Sequence, residues 1–207
     1  MRALVVLMVS AGTAAAAPVV DWESGRVIES GVGLADRQAP NAAVARGPAR
    51  RKAEDAARIA LNAAVMTLPI AGGGTLKDKA SDPAIRARID RAIAAALTVT
   101  AAPETDGAWV VSLAVPIEAL RQAITGSRAL ASDGDKGPAV IVVEGAAVTP
   151  ALGTTIGGAS VPIVWAKKLP AWAANAPRIK ARSAKDGAID ADTKSATPST
   201  LFVVLAP

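Results

Sequence analysis

The chain has 207 residues, half of them apolar and a fifth charged, a balance that suits a folded globular protein and excludes a disordered one. It contains neither cysteine nor histidine, which excludes disulfides, thiolate metal sites, cysteine nucleophiles and a Ser-His-Asp triad, and leaves only Asp, Glu, Lys and Ser for any catalysis. The formal charge of +5 is mild for this length, and no basic stripe interleaved with aromatics marks a nucleic-acid surface.

The N-terminus reads as an export signal. Met1 and Arg2 make a short positive start, residues 3–9 an apolar run, and residues 10–17 a segment of small side chains. This order predicts a secretory signal peptide over residues 1–16. Ala14 and Ala16 fit the small positions that signal peptidase requires, so cleavage is expected before Ala17. A cut one residue later would leave Pro18 behind the scissile bond, which hinders the peptidase. The apolar run is far shorter than the roughly 20 residues of a membrane-crossing helix, and no later segment approaches that length. With no cysteine after the run, lipid attachment is excluded. The expected location is the periplasm or the exterior, with a charge of +4 once Arg2 is lost.

Residues 17–125 read as an α+β region. Residues 19–33 form a predicted hairpin turning at Glu23-Ser24-Gly25, in which Gly31 and Gly33 mark a bulge or a close backbone approach. A helical stretch begins at Asn41, with Pro48 expected to kink it or restart it. Ala53, Ala56, Ala57, Ala60, Leu61, Ala64 and Val65 share one face of that helix, and Arg50, Arg51, Glu54, Asp55 and Arg58 lie off it. A face made of alanine lets a helix come close to a sheet. The basic run from Arg46 to Lys52 is read as its solvated side.

Pro69 and Gly72-Gly73-Gly74 end the helix, and residues 77–81 read as a polar loop. Asp82 then caps a second helix with Pro83 at its first position and Ile85, Ile89, Ala92, Ile93, Ala96 and Leu97 as its stripe. Residues 97–101 and 108–115 form a second hairpin. Pro116 opens a short helix with Ile117, Leu120 and Ala123 inward.

Residues 126–138 form a loop or linker, and residues 139–207 a strand-rich region expected to belong to the same domain. Strands are predicted at 139–143, 161–165, 178–182 and 201–205, with loops at 149–160 and 184–199. The predicted class is α+β, an antiparallel or mixed sheet with two main helices packed on one face. Because alanine dominates the apolar residues, the core is expected to be thin.

Three features bear on chemistry. Gly72-Gly73-Gly74-Thr75 follows a helix, not a strand, and has no Gly-Lys-Ser/Thr, so it reads as a helix exit and not a phosphate loop. Asp133 and Asp135, and further on Asp186, Asp190 and Asp192, offer calcium-type oxygens, but no twelve-residue loop with a closing Glu is present and turn chemistry accounts for them. Trp22, Trp109, Trp165 and Trp172 are expected to fill the core, Trp109 above all, with Trp172 the most exposed. Ser195 and Ser199 lack Ser-x-x-Lys spacing. No catalytic residue, cofactor site or metal site is predicted.

The pattern Asp21-Trp22-x-x-Gly25-x-Val27-x-x-x-Gly31-x-Gly33 and the alanine-rich helix after it resemble the N-terminal domain of flagellar assembly protein T. They are similar as well to a related family of small bacterial envelope lipoproteins. The run Val140-Ile141-Val142-Val143-Glu144-Gly145, with Val148-Thr149-Pro150-Ala151-Leu152 and Ile156, looks like the family's strand-then-Pro-Ala-Leu segment. The resemblance implies a periplasmic, non-enzymatic module that joins envelope or flagellar assemblies through protein contacts. The chain departs from it in lacking the lipidation cysteine and the flagellar protein's further domains.

The expectation is therefore an exported, non-enzymatic envelope protein with envelope proteins as partners. Two rival readings stand beside it: a small exported hydrolase using carboxylates, and a periplasmic binder of small ligands. Converging carboxylates with raised pKa would favour the hydrolase, a closed apolar cavity the binder, and an exposed apolar patch or unpaired sheet edge the interaction module.

Overall fold

The computed structural model describes residues 19–105, 107–126, 137–197 and 199–205. The predicted signal segment and its expected cleavage residues Ala14, Ala16 and Ala17, most of the 126–138 segment, and Asp133 and Asp135 lie outside the described residues.

Val19–Asp21 (β1) and Arg26–Gly33 (β2) form the expected antiparallel hairpin. Asp21 builds its turn: Oδ1 accepts the backbone N–H of Glu23 at 3.1 Å and of Ser24 at 2.9 Å. Asn41 caps the long helix Ala42–Met66 (α1) by accepting the Val44 N–H at 3.0 Å. Pro48 neither ends nor restarts it; α1 runs through as one 25-residue helix. Gly47 helps here, since a residue without Cβ avoids the clash that disfavours helical backbone before proline.

The expected polar loop at residues 77–81 instead contains a single helical turn, Leu76–Lys79 (α2). Thr75 and Asp78 cap it reciprocally, with the Thr75 N–H donating to Asp78 Oδ2 at 2.7 Å, and Leu76 is wholly buried. Asp82 caps Pro83–Ala94 (α3) as predicted, accepting the Ala84 N–H at 2.7 Å.

Leu97–Pro103 (β3) and Trp109–Pro116 (β4) form the second hairpin, and Ile117–Thr125 (α4) follows directly, with Ile117, Leu120 and Ala123 buried. The four strands make one antiparallel sheet in the order β1-β2-β4-β3. α1 lies on β2 and β4, and α3 packs against α4 and α1. Between them sits the first core, with Leu61, Leu68, Leu76, Ile89, Leu113 and Leu120 as its larger members.

The glycines of β2 determine how α1 sits. A Cβ on Gly31 would collide with the backbone of Ala53, Ala56 and Ala57, and one on Gly33 with the backbone of Ala49 and Ala53. The expected close approach is therefore real, and it pairs glycine on the strand with alanine on the helix. The buried face of α1 reaches further toward its N-terminus than the sequence suggested, to Ala45 and Ala49, because the helix runs unbroken through Pro48.

The C-terminal half supplies two further sheets, where a single sheet was expected. Val140–Glu144 (β5), Thr155–Ile156 (β6), Ala159–Ser160 (β7), Ile163–Ala166 (β8), Arg178–Lys180 (β9), Ser183–Lys185 (β10), Ala188–Asp190 (β11) and Leu201–Leu205 (β12) follow in turn. One sheet, β8-β12-β5-β9, is parallel throughout. Both its faces are covered, as such sheets require. Ile141, Val143, Phe202 and Val204 face a second core with Ile156 and Ile189. Val142 and Val203 face a third core, which also holds Ala173 of the single 3-10 turn Ala171–Ala173.

The small sheet β10-β11-β6-β7 occupies stretches that were expected to be loops. Its strands have two or three residues each, too few for an alternating pattern to register. The class is α+β.

Three features join the two halves. The Ala71 N–H donates to the Leu152 carbonyl at 2.8 Å, and the Leu152 N–H to the Pro69 carbonyl at 2.9 Å. Trp22 packs against both the first and second cores. Arg121 of α4 reaches Ser160 Oγ in β7 at 2.8 Å.

Candidate functional site

The strand β3 is the least covered element of the antiparallel sheet. Every one of its residues is exposed, with Leu97 at 61% and Val99 at 46%. The reason lies in the sheet order: β3 is an edge strand, and α1 covers its inner neighbours. It has no charged side chain. Its edge is blunted in two ways, by the irregular register between Thr98 and Thr100 and by Pro103, which has no N–H to offer.

The face of the sheet turned away from α1 continues this surface. Ser30, Ser112 and Thr100 lie across three adjacent strands and link hydroxyl to hydroxyl, at 2.8 Å and 2.9 Å. Val32, 56% exposed, lies beside them, and Leu34 just beyond β2 is 68% exposed. Four of the exposed large apolar side chains lie on β3 and at the end of β2, with Leu97 level with Ala114 at one end of the sheet and Val32 level with Val110 toward the other. Isolated exposed apolar residues are ordinary; an uncharged edge strand exposed at every residue is not.

Other predicted features resolve separately. Gly72, Gly73 and Gly74 all take positive φ and turn the chain so that the Ile70 N–H meets the Gly74 carbonyl at 3.3 Å. They are a tight turn into a four-residue helix. Asp186 sits with Gly187 in the β10–β11 turn, Asp190 lies 3.8 Å from Arg182, and Asp192 accepts the Lys194 N–H at 3.1 Å. The fold does not bring them together: among the described residues no three acidic groups converge.

Of the tryptophans, Trp165 is buried and Trp172 is 59% exposed, as expected. Trp109 is only partly buried, with the Arg50 guanidinium 5.6 Å from its ring centroid. Trp22 is half-buried and lines a surface cleft of about 420 Å³ with Val20, Asp21, Glu23, Pro150, Trp165 and Lys167.

Among the described residues two carboxylates are displaced in their titration, and both move down. The Ser24 hydroxyl and backbone N–H hold Asp21 below the usual carboxylate range, and the Thr75 N–H and hydroxyl do the same for Asp78. A general acid needs the opposite shift. Because the folded-state pKa of Asp21 is depressed, its contribution to stability is complete above the unfolded value near about 3.9 and is lost as pH falls through the folded value. The stability gap between wild type and Asp21→Asn, read from urea unfolding, is therefore expected to be constant from neutral pH down to mild acid. It should close only in strong acid.

Sequence reasoning missed Arg121. It is 6% exposed, and Glu118 grips it from both sides, accepting from Nε at 2.7 Å and from Nη2 at 2.6 Å. The Glu-x-x-Arg spacing on one helix was the only available signal, and on most helices that spacing marks a solvated pair.

No family model matches the chain, and no curated protein is significantly similar to it.

Proposed function

We propose that this protein is an exported, non-enzymatic component of the bacterial envelope that works as a protein-interaction or assembly module. The exposure of β3 along its whole length carries the reading. A seven-residue uncharged strand, bare on both faces at the edge of its sheet, is a surface that association covers. The signal-like N-terminus supports export, and the resemblance to the flagellar assembly and envelope lipoprotein modules supports an envelope partner. The downward displacement of Asp21 and Asp78 speaks against a carboxylate hydrolase.

The test is recovery of partners from native envelopes after mild cross-linking, comparing wild type with Val99→Lys. Val99 is exposed, so the substitution should shift stability by no more than about 0.5 kcal/mol. A charge placed on the strand should abolish co-purification of envelope proteins. Wild type recovered alone would overturn the proposal, as would a variant that retains every partner.

A further inference from the structure

The cleft at Trp22 has a chemistry the interaction reading does not use. It opens where the β1–β2 turn meets the end of β8, between the first and second cores. At about 420 Å³ it falls within the range of small-molecule sites. Trp22, Trp165, Val20 and Pro150 supply its apolar lining. Asp21 and Glu23 add carboxylates from the turn, and Lys167 an ammonium from the end of β8.

Two carboxylates and one ammonium line the cleft; Arg26 stands opposite Asp21 in the hairpin, outside the lining, which leaves Glu23 as the carboxylate open to a ligand. The turn also fixes Asp21 in place, because its carboxylate accepts the Glu23 and Ser24 N–H groups. Indole rings and carboxylates together recognise organic cations: the ring face attracts the charge, and the apolar lining takes the carbon attached to it. Lys167 suits an acceptor elsewhere on the same ligand.

We propose that this cleft binds a small organic ammonium compound, with its cationic head against Asp21, Glu23 and the half-buried Trp22 indole, the buried Trp165 beneath it, and a hydroxyl or carboxylate toward Lys167. The site goes beyond the interaction surface: no residue of β3 takes part in it.

The test uses the full chain and the indole N–H signals of its four tryptophans in nitrogen-15 correlation spectra. Trp22→Phe and Trp165→Phe assign two of them. The probes are choline and dimethylbutanol, in which an uncharged quaternary carbon replaces the nitrogen. Choline is expected to move the Trp22 and Trp165 signals saturably below about 10 mM and to leave Trp109 and Trp172 unmoved. Dimethylbutanol should not move them over the same range.

Glu23→Gln should weaken choline binding by about threefold to tenfold. Glu23 is exposed and serves the turn through its backbone N–H, so this variant keeps the fold. Equal responses to the two probes, no saturable shift, or unchanged affinity in Glu23→Gln would each overturn the proposal.

Discussion

Alanine at Gly31 or Gly33 is expected to cost about 3 kcal/mol at each position, a large share of the stability of a marginal domain. The added methyl meets main chain, not a movable side chain: Gly31 faces the peptide units of Ala53 to Ala57, and Gly33 those of Ala49 to Ala53. Relief requires α1 to lift off the sheet along its length, which would open the contacts of Val27, Leu61 and Val111 in the first core. Urea unfolding of the two variants beside Val32→Thr checks this. Val32 lies between the glycines but on the open face, and its substitution should change stability by no more than about 0.5 kcal/mol. Small losses at both glycines would show that α1 does not sit on β2 as described.

Arg121→Ala should be the next most damaging change, at about 2 to 3 kcal/mol. The guanidinium is buried and its nitrogens are occupied, by both Glu118 oxygens, by Thr125 Oγ1 at 3.2 Å and by Ser160 Oγ at 2.8 Å. Alanine removes the pairing and leaves a void between α4 and β7. Glu118 keeps 40% of its side chain in solvent, so its carboxylate can be rehydrated, which holds the cost below that of a stranded buried charge. Arg121→Met fills most of the volume and is expected to recover about half of the loss. Ser160→Ala should cost about 1.5 kcal/mol, the lower end for one hydrogen bond to a charged donor, here across the two halves. Chemical denaturation of the three variants orders them. A Met variant as unstable as the Ala variant would assign the cost to the lost ion pair and not to packing.

Several elements were legible in the residues. Asp82-Pro83 starts α3, the apolar run of residues 108–115 makes β4, and Leu201–Leu205 is the strand it was read to be. Each is set by contacts within a few residues or by an unbroken apolar pattern. The small residues on each side, Gly31 and Gly33 in the strand and the alanine face of the helix, were legible too, whereas their meeting is a result of the tertiary fold.

The hairpins at 155–160 and 183–190 were not legible. They rest on turns at Gly157-Gly158 and Asp186-Gly187, and on a parallel pairing between β11 and β6 more than thirty residues apart, which no local pattern encodes. The candidate surface divides the same way. That residues 97–103 form a strand was mostly readable; that the strand lies at an edge, bare on both faces, follows from the order β1-β2-β4-β3.

Local chemistry by itself determined the caps, the turns and the apolar stripes of this protein, along with the absence of cysteine and histidine chemistry. Tertiary structure alone decided which strand stayed uncovered, that Arg121 is buried, and that Trp22 and Trp165 share a cleft. Those outcomes depend on the order in which distant segments meet, and the free energy that sets that order is distributed over whole cores and not over neighbouring residues.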